Sequence, residues 1–264
     1  MQLPKDGISL NLFSLPFISS IDTTFTVVYD RKSELEAFTL YRSLSQLGEK
    51  LVRVTNLYDF LFNEKPYASV NNIVAFLNDI NDVMPFLDEV WSLGGKAFLV
   101  TCNVDLKKSK GDVEVISRKG ELCEIETSLS VVKEVANMTK NKRSEDLLKE
   151  LNSLNTLTDW LKSKLQEIKF DGVVVLSPIL LPARGFMQRY LGREIKSHED
   201  SLEGYSDYTF ITTGGDLITV RKLEFELRSK GKKVKEYIFD VDPLLAPIYL
   251  SLLTYLFKQS ERVL

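Results

Sequence analysis

The stretch that decides the fold runs from Ile73 to Thr101 and reads IVAFLNDINDVMPFLDEVWSLGGKAFLVT. It opens with an apolar run of β-forming residues, passes through a polar turn into apolar residues at helical spacing, and returns after Gly94-Gly95 to a second apolar run. This pattern predicts a strand, a helix and a second strand. The same order recurs in Thr209–Phe239, TFITTGGDLITVRKLEFELRSKGKKVKEYIF, which starts 136 residues further along the chain. The sequence therefore predicts an internal duplication of one α/β unit.

Further apolar runs precede both copies of this block. Phe25–Tyr29 (FTVVY) and Gly172–Leu176 (GVVVL) are predicted strands, and a predicted helix follows each. Strands that alternate with helices of about 10–15 residues indicate parallel sheets with helices on both faces. The predicted fold class is therefore α/β, with two tandem three-layer α/β/α subdomains.

The charged turn Thr139–Asp146 divides the chain into predicted subdomains of residues 1–143 and 144–264. The second begins with one long amphipathic helix over Glu145–Ile168, which connects the halves and carries its leucines on one side. Ala183–Ile195 is a predicted helix that bears Glu194, and His198, the single histidine, follows it.

Composition narrows the class of protein. The 34 basic and 37 acidic residues nearly balance, so no broad basic surface is expected and neither nucleic acid nor a membrane is a predicted partner. No apolar run reaches the roughly 18–20 residues of a membrane span. Cys102 and Cys123 lack metal-site spacing and predict reduced thiols buried in the core of a cytoplasmic protein, although a single disulfide stays open. No metal and no cofactor are expected.

The order of elements, and an ending of Leu244–Tyr249 (LLAPIY) followed by Leu252–Tyr255 (LLTY), resemble the double sugar isomerase (SIS) domain family. That family includes the isomerase half of glucosamine-6-phosphate synthase and the archaeal phosphoglucose/phosphomannose isomerases. The resemblance implies two flavodoxin-like halves and a small phosphorylated sugar bound between them. Together with the apolar final helix and the leucine-rich connector, it implies a homodimer.

The resemblance also implies catalytic residues. Arg193-Glu194-Ile195 stands where members of the family carry a glutamate that moves a proton between adjacent sugar carbons, so Glu194 is the predicted base. Phe210 stands where their ring-opening histidine is expected, and His198 would have to take that role. The alternatives are an exposed glutamate at a helix end and an ordinary surface histidine.

Ligand-binding residues are predicted at the strand ends. Ser33 keeps the serine of the family's first phosphate turn without its glycines, and Glu124–Ser128 loosely resembles a further segment, which makes Ser128 a candidate. Arg31 and Lys32 could bind an anion with their side chains. Ser33 is equally a helix N-cap, and Arg31 and Lys32 could form a solvated turn.

Thr212 and Thr213 precede Gly214-Gly215 in a turn that resembles a phosphate site, although these glycines could simply allow positive φ. In the first half, the family's second phosphate turn falls on Phe76–Asn81, where Asp79 places a carboxylate at the expected phosphate position. A carboxylate competes with an anion for the amides of a helix N-terminus.

Two functions follow from these residues. The first is a divergent protein that binds a sugar phosphate or an amino-sugar phosphate, with aldose-ketose isomerase activity through Glu194. The second is a non-catalytic SIS-type module that binds a carbohydrate derivative or regulates a partner.

Overall fold

The computed structural model describes residues 9–21, 25–67, 72–106 and 111–262. The chain forms two compact units, the first Leu10–Asn152 and the second from Ser153 onward. The subdomain boundary between residues 143 and 144 stays a prediction.

The first unit is built on a parallel sheet. Its helices and strands, after a short 3₁₀ helix at Pro16–Ser20, are β1 Thr26–Tyr29, α1 Glu34–Gln46, β2 Arg53–Asn56, α2 Leu57–Asp59, a π-helix Phe60–Glu64, β3 Asn72–Phe76, α3 Ile80–Leu93, β4 Lys96–Cys102, β5 Val113–Arg118, α4 Cys123–Thr139 and α5 Lys142–Asn152. The strands lie in the order β2-β1-β3-β4-β5, with every neighbouring pair parallel. The register pairs Tyr29 with Asn56 on one side and with Phe76 on the other.

The second unit repeats this plan with one strand fewer. Its elements are α6 Leu154–Glu167, β6 Val173–Leu176, a 3₁₀ helix Leu181–Ala183, α7 Arg184–Leu191, β7 Ile195–Ser197, β8 Asp207–Thr213, α8 Leu217–Ser229, β9 Lys233–Phe239 and α9 Ala246–Arg262. The parallel sheet has the order β7-β6-β8-β9. The two units confirm the predicted α/β class with tandem flavodoxin-like subdomains and parallel sheets.

The two units pack their corresponding helices alike. On α3, Val83, Phe86, Leu87 and Val90 are buried in a cluster with residues of β3 and β4. On α8, Val220 and Leu227 are buried with Tyr208 and Phe210 of β8. Each helix therefore connects the third and fourth strands of its unit and buries one face against the sheet.

Two predicted helices have different bounds. The long connector predicted over Glu145–Ile168 is two helices, α5 and α6, and Ser153 interrupts them. The helix predicted over Ala183–Ile195 ends at Leu191, because Gly192 adopts φ +66 and donates its amide to the carbonyl of Gln188. This left-handed glycine is a common helix end. Glu194 therefore lies outside the helix, and Ile195 begins β7.

The cysteines also differ from the expectation of reduced thiols. Cys102, at the end of β4, and Cys123, at the start of α4, are joined by a disulfide, with their Cα atoms 5.7 Å apart. Both are buried, as predicted. The prediction failed because it used the number of cysteines and not their positions in the fold. In the described part of the chain, no helix is long and apolar enough to cross a membrane.

Candidate functional site

The strand order of the first unit places a crevice between the carboxyl ends of β1 and β3, where the connections leave in opposite directions. Open parallel sheets bind ligands at such a switch point. Backbone amides of the turns and of the helix N-termini that follow the strands are the usual anion donors there. The second unit has the equivalent crevice between β6 and β8.

In the first unit a protein carboxylate already accepts these amides. Asp30, the residue after β1, accepts hydrogen bonds from the backbone N–H of Asn78 at 2.6 Å and of Asp79 at 2.9 Å, beyond the end of β3. It also accepts from the amide of Lys32 at 2.9 Å. Asp30 is buried, and burial raises the pKa of its carboxyl although these hydrogen bonds oppose the shift. The amides beyond β3 thus bind a side chain of the same unit.

Ser33 ties the two turns together. Its hydroxyl donates to the carbonyl of Phe76 and accepts from the amide of Asp30 at 3.1 Å, and the side chain is fully buried. Ser33 stands at the N-cap position of α1, but its side chain does not cap the helix. The N-cap hydrogen bond is absent because the hydroxyl bridges β1 and β3.

Asn78 completes this network in the first unit. Its side-chain amide donates to Glu36 Oε1 at 2.7 Å, and its side-chain oxygen accepts from the amide of Cys102 at 2.7 Å. Asp79 caps α3 by accepting from the amide of Asn81. The turn therefore connects β1, β3, β4 and α1.

The two basic residues of the first turn differ in their contacts. Lys32 Nζ lies 2.6 Å from Asp79 Oδ2, and this contact holds the pKa of Asp79 below its ordinary value. Arg31 is exposed in the turn after β1. Lys32 thus neutralises a carboxylate of its own unit, at the place where an anionic ligand was predicted.

In the second unit another carboxylate joins the corresponding turns. Asp216, before α8, accepts from the amide of Ile179, beyond β6, at 2.8 Å. Its other oxygen accepts from the amide of Thr213 at 2.9 Å and from the hydroxyl of Thr213 at 2.8 Å. Asp216 is buried. The aspartate comes from the opposite side of the crevice from Asp30 in the first unit, but it likewise bridges the turns of two neighbouring strands.

Gly214 and Gly215 do not serve to allow a positive φ in the turn after β8. Neither Gly214 nor Gly215 has a positive φ. A Cβ atom on Gly215 would lie 3.2 Å from Ile179 Cδ1, closer than ordinary van der Waals contact. Gly215 therefore allows the turn after β8 to approach the turn after β6.

A row of polar residues crosses the carboxyl edge of the second sheet. Leu176 is in register with Ser197 and with Ile211, so the residues that follow, Ser177, His198 and Thr212, are level on three adjacent strands. The amide of Ser177 donates to Ile211 and that of His198 to Leu176, which extends the ladder. The hydroxyls of Ser177 and Thr212 are buried and have no hydrogen-bond partner among the described residues. His198 Nδ1 lies 3.4 Å from the hydroxyl of Ser197.

Glu194 lies at the opposite edge of this sheet. It precedes β7, whose first residue pairs with Val174 of β6, and its carboxylate accepts from Lys196 Nζ at 2.8 Å. At roughly 3.3 Å per strand residue, about 13 Å separates the backbone of Glu194 from that of His198. The structure does not bring the two predicted catalytic residues together. Ser128, in the first unit, donates within α4 to the carbonyl of Glu124 at 2.8 Å.

Sequence reasoning did not identify Asp30 and Asp216 as acceptors of the strand-end amides. A signal was available, since an aspartate follows β1 directly and another precedes α8. Their partners are amides 48 and 37 residues away, however, and only the sheet order identifies them. Among the described residues, no group of three or more His, Cys, Asp and Glu side chains could hold a metal ion.

The chain was compared with protein-family models, with curated protein sequences and with solved structures. No protein-family model matches the chain. No curated protein sequence matches it either.

Solved structures do match. Glucosamine-6-phosphate deaminase of Thermotoga maritima has a TM-score of 0.67 at 11% identity, over 94% of this chain and 88% of the other. The C-terminal domain of glucosamine-fructose-6-phosphate aminotransferase from Francisella tularensis has a TM-score of 0.64 at 10% identity, over 96% and 88%. Tagatose-6-phosphate ketose/aldose isomerase of Escherichia coli has a TM-score of 0.58 at 12% identity, over 94% and 86%.

The chain has the SIS fold. At these identities the likeness is one of fold, and reaction and ligand have to be argued from the residues of this chain.

Proposed function

We propose that this protein is a non-catalytic SIS-type module that binds a carbohydrate derivative without a phosphate group. One observation carries the proposal: in each unit an aspartate carboxylate accepts the strand-end amides of the crevice that an anion would otherwise use. A phosphate ester would have to displace these carboxylates or approach them as a like charge.

The energetic cost of displacement is substantial. Asp30 and Asp216 are both buried and accept three hydrogen bonds each from the turns. A hydrogen bond to a charged group contributes about 1.5–3 kcal/mol. A ligand phosphate that displaced the carboxylate would replace its hydrogen bonds to the amides with equivalent ones, so the net gain in binding free energy is small. The displaced carboxylate would remain close by and repel the phosphate.

The position of Glu194 supports the non-catalytic part of the proposal. A general base must come within hydrogen-bond reach of the proton that it removes. Glu194 lies at the amino edge of its sheet, 57% exposed and paired with Lys196, whereas ligands of open parallel sheets bind at the carboxyl edge.

Uncharged polar groups support a neutral ligand. At the carboxyl edge of the second unit, the hydroxyls of Ser177 and Thr212 and the imidazole of His198 form the row described above. Hydroxyl and imidazole groups can form hydrogen bonds with sugar hydroxyls.

Binding of two matched ligand sets tests the proposal. Thermal unfolding of the full chain would be followed with glucose, mannose, fructose and glucosamine, and with the 6-phosphate of each. We expect a free sugar to raise the midpoint and its 6-phosphate to raise it less. A larger shift with a phosphate than with its parent sugar would contradict the proposal, as would no shift with any free sugar.

The second candidate is a sugar-phosphate isomerase, and His198 at the carboxyl edge is the observation that favours it. In this hypothesis Glu194 is the base, and Arg31, Lys32, Ser33, Ser128, Thr212 and Thr213 contribute to the ligand site. Conversion between glucose 6-phosphate and fructose 6-phosphate, lost in Glu194→Gln and in His198→Ala, would establish it. Activity that persists in Glu194→Gln would exclude Glu194 as the base.

We also propose that the protein is cytoplasmic and, in this second hypothesis, that it resembles the archaeal phosphoglucose/phosphomannose isomerases in function.

A further inference from the structure

A cavity of about 690 Å³ lies at the amino edge of the sheet in the second unit. Its described lining residues all belong to that unit, and they come from the ends of α6, α7 and α9 and from the loops before β6 and β7. Cavities that bind small molecules have volumes of roughly 300–1,000 Å³. This cavity is therefore large enough for a small organic ligand, and we call it the amino-edge cavity.

Five of the residues that line the amino-edge cavity are apolar. They are Leu165, Ile168, Phe170, Leu191 and Phe257. The first three are buried and the last two are half-buried. The rings of Phe170 and Phe257 lie edge to face, with their centroids 5.0 Å apart. Aromatic pairs favour this arrangement, so the cavity offers an ordered apolar surface to the hydrocarbon part of a ligand.

Arg193 brings a guanidinium to the same cavity. Its Nη1 donates to the carbonyl of Gly172 at 3.3 Å, and its Nη2 donates to the carbonyl of Phe170. A guanidinium has five N–H groups, so three of them are left without an acceptor among the described residues. The side chain is half-buried, and burial lowers the pKa of Arg193 although the carboxylates of Asp171 and Glu261 oppose the shift. Arg193 is thus a partly desolvated cation with unused donors.

The two carboxylates that line the cavity are paired with lysines and not with Arg193. Asp171 Oδ2 lies 2.7 Å from Lys235 Nζ, and Glu261 Oε2 lies 3.1 Å from Lys258 Nζ. In the part of the chain that the structure describes, no carboxylate forms an ion pair with the Arg193 guanidinium. Its positive charge therefore lacks a counter-ion.

The helix ends at the cavity carry partial negative charge, which an anion has to overcome. α6, α7 and α9 end there, and each end contributes at most roughly half an elementary charge. Arg193 and the exposed Lys169 contribute two full positive charges. The side chains outweigh the helix ends, so the cavity favours an anion.

We propose that the amino-edge cavity binds a small organic carboxylate with an apolar body. The planar guanidinium of Arg193 matches the geometry of a carboxylate, and the body of the ligand would contact Phe170 and Phe257. A monoanion suits the cavity better than a phosphate dianion, because Asp171 and Glu261 also line it. This ligand differs from the carbohydrate proposed for the carboxyl edge, and the two sites lie at opposite edges of the sheet. The inference is therefore independent of the proposed function.

Calorimetric titration of the full chain tests the ligand class. Hydrocinnamate and octanoate would each be compared with the alcohol of the same skeleton, and acetate would be the carboxylate without a body. We expect at least one of the two acids to bind with a dissociation constant of about 1 mM or lower, and its alcohol to bind roughly tenfold more weakly or less. Acetate should give no measurable heat. The inference is overturned if neither acid binds, or if each alcohol binds as tightly as its acid.

Arg193→Gln tests the proposed contact directly, and it should raise the dissociation constant of the bound acid by roughly tenfold or more. Thermal unfolding shows whether this variant keeps its fold, since it also loses the contacts with Gly172 and Phe170.

Two exposed residues test the cavity without changing those contacts. Lys169→Gln should raise the dissociation constant and Glu261→Gln should lower it, each by roughly two- to fivefold. Lys162→Gln is the matched control, because Lys162 lies on α6 outside the lining and its side chain is 48% exposed. An affinity that neither Lys169→Gln nor Glu261→Gln changes, or that Lys162→Gln changes equally, would show that the acid binds elsewhere.

Discussion

The carboxylate of Asp216 accepts a hydrogen bond from the backbone amide of Ile179 at 2.8 Å, and this contact ties the turn before α8 to the turn after β6. The two residues are 37 positions apart in sequence but face each other because β6 and β8 are neighbours. The other carboxylate oxygen binds Thr213, so a single side chain satisfies donors on both sides of the crevice.

Asp216→Ala should therefore destabilise the second unit. It leaves two backbone amides and one hydroxyl without their acceptor, and an unsatisfied buried donor costs about 1–3 kcal/mol. We expect a loss of about 2–4 kcal/mol in the free energy of unfolding, measured in urea. Asp146→Ala, which removes an exposed carboxylate of a surface ion pair, should cost less than about 1 kcal/mol. Equal losses in the two variants would show that Asp216 has no special role.

Removal of the carboxylate in the first unit should create an anion site. In Asp30→Ser the amides of Asn78 and Asp79 lose their acceptor at the N-terminus of α3, and a free anion can take its place. We expect sulfate at millimolar concentration to stabilise this variant more than it stabilises the unmodified chain in thermal unfolding. Sodium chloride at equal ionic strength controls for screening. If sulfate stabilised both proteins equally, the Asp30 carboxylate would not occupy the position of a bound anion.

Ser33→Ala tests the bridge between β1 and β3. It removes the Ser33 hydroxyl from the Phe76 carbonyl and from the Asp30 amide, which keep only their mutual hydrogen bond at 3.3 Å. We therefore expect a loss of about 1–3 kcal/mol in unfolding free energy. Ser43→Ala on the same helix is the matched control, since its buried hydroxyl has no hydrogen-bond partner among the described residues. That variant should be neutral or slightly more stable. The opposite ranking in chemical denaturation would contradict the bridge.

Glu224 should make stability depend on pH. Burial, and secondarily the carboxylate of Glu236, raise the pKa of Glu224 to about 7 from 4.5, while Arg228 and Arg221 oppose the shift. A raised pKa means that the folded state binds the proton more tightly. The contribution to stability is complete below pH 4.5 and is lost as the pH rises through 7.

Glu224→Gln should therefore be more stable than the unmodified chain at pH 8, by on the order of 2 kcal/mol, and should have a flatter stability profile between pH 5 and pH 8. Glu226→Gln, on the exposed side of α8, keeps the profile unchanged and controls for the loss of one charge. Parallel profiles for Glu224→Gln and the unmodified chain would mean that Glu224 does not titrate in this range.

The architecture could be predicted from local patterns, because they are strong in this chain. Val173–Leu176 and Thr26–Tyr29 are short runs of β-branched residues at buried positions, and both are strands. Helix ends were less predictable. Gly192 ends α7 through its backbone conformation, and leucine spacing continues across Ser153 although the helix does not.

The site was less accessible to sequence reasoning than the fold. Ser33 and Thr213 were predicted as ligand-binding residues near strand ends, and whether their hydroxyls contact a ligand or groups of the same unit depends on the neighbouring strand. Phe76 accepts from Ser33 across 43 positions, and Asp216 accepts from the Thr213 hydroxyl. Such contacts follow from sheet order and register, which short motifs do not encode.

The disulfide between Cys102 and Cys123 encloses β5, the outermost strand of its sheet, in a covalent loop. An outermost strand has unpaired amides and carbonyls that can recruit strands of other molecules. The loop limits how far β5 can peel away from β4, and so limits the exposure of both strands to other chains. Reduction of this single bond should therefore change the tendency of the protein to aggregate more than it changes the shape of the crevices.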